Sequence, residues 1–184
     1  MRRVLLTTLL ACTLFTASVL TKLPSHPDSV KPLFSGEHIV CTTWSLDKQA
    51  GLWMTAAHCA QAPDLRIAGK SVEVVRMDID GDLALLKADV HERGFKLGKY
   101  PQVGDEVTVY GYPNGWRTPV PVWLRVSSSF ARVTDDWPTQ MLLDGEAFHG
   151  HSGSPVIDSK GRVVGLWVGW IVLPAGNLEV AVPW

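Results

Sequence analysis

From about Ser35 onward the chain alternates short apolar or β-branched runs with turn residues. The runs cover residues 38–44, 52–55, 71–76, 84–86, 106–110, 120–126, 141–143, 162–168 and 178–182. Clusters such as Gly111-Tyr112-Pro113-Asn114-Gly115 lie between them. Many short strands with regular turn signals predict an all-β sandwich or barrel. After the N-terminal segment nothing keeps a 3.6-residue period, apart from a single turn at 56–60.

The first residues follow another pattern. Arg2 and Arg3 precede an apolar stretch from Val4 to Leu20, and a proline-containing passage continues to Pro32. A positive head before an apolar run predicts a leader helix that acts as a secretory signal. The run is also about the minimum length for a spanning anchor. Thr16 and Ser18 are small residues spaced for a signal peptidase, whereas Leu9-Leu10-Ala11-Cys12 resembles a lipoprotein box. The apolar residues after Cys12 weaken that second alternative. The protein is therefore expected to be secreted, periplasmic or membrane-anchored, with its folded part outside the cytoplasm.

Composition narrows the class. With 184 residues, 46% of them hydrophobic and 19% charged, the chain has room for one substantial domain or two small barrels. A formal net charge of −1 gives no basic excess for a nucleic-acid partner. With Cys12 set aside, Cys41 and Cys59 remain, and an even count in an exported chain suggests a disulfide. Two buried free thiols are the alternative.

Three motifs carry candidate chemistry, in the order His, Asp, Ser. Nucleophilic serine catalysis needs a base beside the hydroxyl, a carboxylate to hold that base, and donors for the oxyanion. In Met54-Thr55-Ala56-Ala57-His58-Cys59, small residues allow tight packing that presents His58 into a cleft. In Asp82-Leu83-Ala84-Leu85-Leu86, an acid precedes an apolar strand start, and Asp78 and Asp80 compete with Asp82 for the carboxylate role. In Gly150-His151-Ser152-Gly153-Ser154-Pro155, flanking glycines permit the dihedrals that turn successive N–H groups toward one point. The expected catalytic residues are His58, Asp82 and Ser152, with the Gly150 and Ser152 amides as the oxyanion hole.

Together these motifs resemble the trypsin/chymotrypsin superfamily, in a pattern similar to its bacterial trypsin-like and HtrA-like branches. Asp82-Leu83-Ala84-Leu85-Leu86-Lys87 is similar to the triad-aspartate segment of HtrA-like proteases. Residues 111–115 resemble their Gly-x-Pro-x-Gly turn, and Asp144, eight residues before Ser152, matches an acid of that branch. Val163-Val164-Gly165-Leu166 looks like the strand after the nucleophile, and Val180-Ala181-Val182-Pro183 like the closing strand. Thr55-Ala56-Ala57-His58-Cys59 with Cys41 instead matches the trypsin branch, including the disulfide that staples the histidine loop.

The resemblance implies two packed six-stranded antiparallel β-barrels with the triad in the cleft between them. Residues 1–34 would be leader or anchor plus linker, and 35–184 the protease domain, with barrels at about 35–98 and 99–184. Serine endopeptidase activity on protein or peptide substrates would follow. The rivals are a catalytically silent binding protein of the same fold and a processing protease dedicated to one partner.

Departures from the family pattern limit the analogy. No Ile-Val-Gly-Gly-like start follows the leader, and His151 stands where trypsin-type enzymes carry the acid that pairs with a new N-terminus. Ser154 replaces the commoner second glycine, and the sequence leaves no room for a PDZ domain. His149 and His151, two apart on a loop without further ligands, do not make a metal site, so no metal or other cofactor is expected. His151 is expected to form structural hydrogen bonds behind the nucleophile, its protonation able to tune the oxyanion loop near neutral pH.

By resemblance, Glu146, Ala147, Phe148 and His149 form one wall of the primary specificity pocket, and Trp167, Val168 and Gly169 the other. Glu146 at the pocket floor would favour Lys or Arg. Pointing to solvent, it would leave Phe148 and Trp167 to shape an apolar or shallow pocket. Trp167 or Val168 in place of a histidine argues against glutamate specificity.

Overall fold

The computed structural model describes residues 27–132, 139–173 and 176–183. The leader, including Cys12 and the apolar helix expected for it, lies outside the described residues. Strands form at β1 (Val30–Ser35), β2 (His38–Asp47), β3 (Leu52–Thr55), β4 (Leu65–Ile67), β5 (Lys70–Asp78) and β6 (Leu83–Ala88). They continue with β7 (Glu106–Gly111), β8 (Val120–Ala131), β9 (Gln140–Asp144), β10 (Pro155–Ile157), β11 (Val163–Leu173) and β12 (Gly176–Pro183). A one-turn helix, α1 (Ala57–Ala60), follows β3.

The first six strands close into an antiparallel barrel in the order β1-β2-β3-β6-β5-β4, and the last six into a second, β10-β11-β12-β9-β8-β7. The all-β, two-barrel expectation is met. Closure leaves each barrel without a free edge, which a sheet of short strands otherwise exposes to wrong pairing. Side-chain alternation does the rest. In β8, Leu124 and Val126 are buried while Trp123, Arg125 and Ser127 face water, the period-2 pattern of a strand with one face on a core.

Barrel 1 is filled by large side chains that include Trp44, Trp53, Leu33, Ile67 and Leu86, all at 0% exposure. Each tryptophan contributes about 4–6 kcal/mol of transfer free energy by buried area, offset by the entropy of ordering the chain. Barrel 2 packs Val109, Leu143, Val156 and Trp167 around its own axis. The segment between the barrels runs back over the first one. There the indole N–H of Trp53 donates to the Val90 carbonyl (3.1 Å), and Phe95 meets Trp44 edge-on with ring centroids 6.1 Å apart.

The barrel begins at Val30, inside the passage read from the sequence as linker. Val30 and Leu33 are buried, and Pro32 pairs with Thr42 of β2. Proline is tolerated at that pair because Thr42 directs its own N–H away from β1, to the carbonyl of Ser152. β4 and β10, three residues each, are too short to leave a periodic trace in the sequence.

Candidate active site

β3 ends at Thr55, and Ala56, in extended conformation, caps α1. Ala56, Ala57 and Ala60 are buried at 0%, 1% and 5% exposure. Larger residues could not enter, so the Ala-Ala pair lets the helical turn press against barrel 1 while His58 projects outward with 48% of its side chain exposed. Cys59, the next residue, is bonded to Cys41 of β2 with Cα atoms 6.1 Å apart. Cys41, His58 and Cys59 cluster closely, yet both sulfurs are spent in that bond, and a cysteine ligates a metal as its thiolate.

Asp82 sits at the turn before β6 with φ +51°. Its two carboxylate oxygens take two protons from one residue: Oδ1 accepts the His58 backbone N–H (2.9 Å) and Oδ2 accepts Nδ1–H (2.7 Å). Since a carboxylate only accepts, the neutral ring carries its proton on Nδ1 and keeps its Nε2 lone pair for another partner. Among the described residues neither competing acid is bonded to His58: Asp78 Oδ1 accepts the Gly81 N–H (3.1 Å), and Asp80 lines a cleft of about 400 Å³ beside His58.

Ser152 comes from barrel 2, on the loop between β9 and β10. The loop is tied to barrel 1 where β3 has ended and left the edge of β2 open. At that edge Thr42 donates its N–H to the Ser152 carbonyl (2.9 Å), and its own carbonyl accepts the Thr55 hydroxyl (2.8 Å). The Thr42 hydroxyl donates to the Gly150 carbonyl (2.8 Å) and accepts the Tyr112 N–H (2.9 Å). One fully buried threonine thus holds both Ser152 and the glycine two positions before it.

Two glycines make the close approach possible. Gly150 has φ +91°, and a Cβ there would collide with the Tyr112 carbonyl; Gly153 has φ +83°, and a Cβ would collide with Thr42 and Thr55. Both the dihedral and the space require glycine. The His149 carbonyl accepts the Asn114 N–H (2.6 Å). In a trans peptide this turns the Gly150 N–H the opposite way. No protein acceptor among the described residues takes the N–H of Gly150 or of Ser152. No hydrogen bond joins Ser152 Oγ to the imidazole among these residues either.

His151 is fully buried behind the loop. Its Nε2–H reaches the Val120 carbonyl (3.4 Å), and Nδ1 accepts the Phe148 N–H (3.2 Å). Burial, partly offset by the hydrogen bonds to the Val120 and Phe148 backbone, holds its pKa below the usual histidine value. The expected structural hydrogen bonds exist, and the lowered pKa runs against the expected tuning of the oxyanion loop by protonation near neutral pH. His149 is exposed and packs edge-on against Trp170, centroids 4.8 Å apart.

Around the expected specificity pocket, Glu146 and Phe148 are exposed, Ala147 is buried, Trp167 and Val168 are buried, and Gly169 is half-buried. The buried acid is Glu179 of β12, at 2% exposure, which sequence reasoning missed. Its Oε1 accepts the Ala147 N–H (3.2 Å) and its Oε2 the Trp167 indole N–H (3.0 Å). Burial, with the charge of Glu146 nearby, raises its pKa, against the pull of those two hydrogen bonds. An acid inside the otherwise apolar run 178–182 was the available signal. Thr42 was missed as well, and nothing local marks it.

The solved structures this chain resembles share the double barrel. The protease domain of MamO from Magnetospirillum magneticum has TM-score 0.73 and 21% identity, over 86% of this chain and 93% of that one. The Rv3671c protease from M. tuberculosis, active form, has TM-score 0.74 and 19% identity, over 86% and 77%. The serine endoprotease from Yersinia pestis has TM-score 0.70 and 20% identity, over 86% and 59%. At such identities the likeness speaks for the fold alone. No curated protein sequence matches the chain. A family model for the trypsin-like peptidase domain matches residues 41–166, more than half of the sequence, so the chain belongs to the trypsin-like peptidase family.

Proposed function

We propose that this protein is a serine endopeptidase that works through an acyl-enzyme, with Ser152 as nucleophile, His58 as general base and acid, and Asp82 as the group that orients His58. The observation that carries the reading is the pair of hydrogen bonds that Asp82 accepts from the backbone and ring of His58, which leaves Nε2 as an acceptor. His58 removes the Ser152 proton as Oγ attacks a peptide carbonyl, and Asp82 stabilises the imidazolium that forms. The unused N–H groups of Gly150 and Ser152 receive the oxyanion. His58 then protonates the leaving amine, and water, activated by the same ring, hydrolyses the ester. The absent hydrogen bond from Ser152 to His58 is compatible with this, because such bonds are often long in free enzymes and tighten with substrate.

The same reading assigns residues 1–34 to the leader or anchor with its linker and 35–184 to the protease domain, the barrel itself reaching back to Val30. It puts that domain outside the cytoplasm, where the Cys41–Cys59 disulfide is stable. Proteins or peptides are the substrates. Hydrolysis of a mixed peptide substrate by the oxidised protein, beside Ser152→Ala, tests the assignment. Activity should disappear in the variant, and full activity there would refute it.

A further inference from the structure

The space beside Ser152 is bounded by two segments. One is the stretch 147–149 that leads into the loop. The other is β11 from Trp167, which is bonded directly to the loop: the Gly153 N–H donates to the Trp167 carbonyl and the Trp167 N–H to the Ser154 carbonyl, both at 2.9 Å. By the family resemblance, a side chain preceding the scissile bond enters between them.

The protein's own groups bridge the two segments. Trp167 is at 0% exposure, one of the largest side chains available, and its indole N–H is fixed by Glu179. Glu179 also binds the Ala147 N–H, so one carboxylate from β12 clasps both bounding segments. Further out, His149 on one segment touches Trp170 on the other across the gap, and the Trp170 ring lies 6.1 Å from that of Trp167. A long substrate side chain could enter only by displacing the buried indole, which would forfeit its packing and leave Glu179 without one of its two donors. The carboxylate is spent within the protein and nearly sealed from solvent, while Glu146 faces outward, so neither acid stands ready for a substrate Lys or Arg.

We infer that Trp167, anchored by Glu179, closes the primary pocket, so that the protein cleaves after small residues (Gly, Ala or Ser) and not after basic or large apolar ones. The inference rests on the reading of Ser152 as the nucleophile. Of the two pockets the sequence allows, the shallow one is selected, and Glu179 is a positioning residue for it.

The test is a mixed peptide library digested by the oxidised full chain, with cleavage sites read by mass spectrometry and Ser152 labelled in parallel by a fluorophosphonate. Cleavage concentrated after Gly, Ala and Ser is expected, with kcat/KM after Leu, Phe, Lys or Arg lower by about tenfold or more. Trp167→Val should move the ratio for Leu over Ala upward by about tenfold or more. Trp167→Phe, which keeps most of the ring volume and guards against a variant that fails to fold, should move it in the same direction by less. Labelling at Ser152 together with wild-type cleavage after Lys, Arg or Phe would overturn the closed pocket and leave the protease reading intact. An unchanged Leu-to-Ala ratio in both folded variants would also overturn it. Absence of both labelling and cleavage would overturn the two readings together.

Discussion

The loop that carries His58 and the loop that carries Ser152 are held by different means. The histidine loop is a helical turn pinned by the Cys41–Cys59 disulfide and by two bonds from Asp82. The serine loop has no covalent tie. It is held through backbone groups: its Ser152 carbonyl on Thr42, its Gly150 carbonyl on the Thr42 hydroxyl, its His149 carbonyl on Asn114. The difference follows from what each must present. A general base needs one ring in one orientation, which a side-chain carboxylate and a staple can fix. On the proposed mechanism the oxyanion hole needs the Gly150 and Ser152 N–H groups left unpaired, so those two residues are held through their carbonyls, and glycines let the backbone come close. The two loops meet at β2, where Cys41 binds one and its neighbour Thr42 the other.

The predictions separate these two kinds of support. Asp82→Asn should do the most damage. It supplies an amide donor where the ring N–H needs an acceptor, so kcat should fall by about 10⁴ with the fold retained; steady-state kinetics beside thermal unfolding checks this. Replacing Cys41 and Cys59 together by serine should lower stability by about 2–4 kcal/mol. Denaturant unfolding reads that loss, and activity should persist at temperatures where the variant remains folded. Thr42→Val keeps the shape but removes the donor to the Gly150 carbonyl of the serine loop and the acceptor of the Tyr112 N–H beside it, at a cost of about 1–3 kcal/mol for the Tyr112 N–H left unpaired. Its signature should be a fall in kcat larger than any change in KM, because on the proposed mechanism the loop carries the oxyanion donors. If kcat is unchanged, the serine loop does not depend on Thr42.

The smallest effect is set by pH. His151 has its pKa lowered by burial, so the unfolded chain binds a proton that the folded protein refuses. Its contribution to stability is therefore intact above the unfolded value of about 6.5 and is lost as pH falls below it. Glu179, with a raised pKa, acts in the opposite sense, and its contribution is lost as pH rises from the usual carboxylate range through its raised value. Melting temperature against pH should fall less steeply on the acid side in His151→Asn than in the wild type.

Most of the architecture was legible because strand alternation and turn residues are local signals. Runs such as 52–55 and 106–110 became strands with those limits or one residue more. The candidate triad was legible for the same reason, since each member stands in a short motif whose neighbours serve its backbone. The missed pieces act at long range. Thr42 contacts Gly150 and Tyr112, 108 and 70 positions away, and Glu179 contacts Ala147, 32 positions away. In β12 the alternation puts Glu179 on the face of Ala181, which is buried in barrel 2, but an acid in a strand ordinarily marks the solvent side. Only the closed barrel reveals that its partners wait there. β1 escaped because Pro32 reads as linker until its place opposite Thr42 is known.

The most direct measurement is fluorophosphonate labelling of the oxidised protein, with the adduct located by mass spectrometry, in the wild type and in His58→Ala. The account predicts an adduct on Ser152 in the wild type and its loss in the variant. A folded, oxidised wild type that takes up no label at Ser152, or one labelled equally without His58, would contradict it.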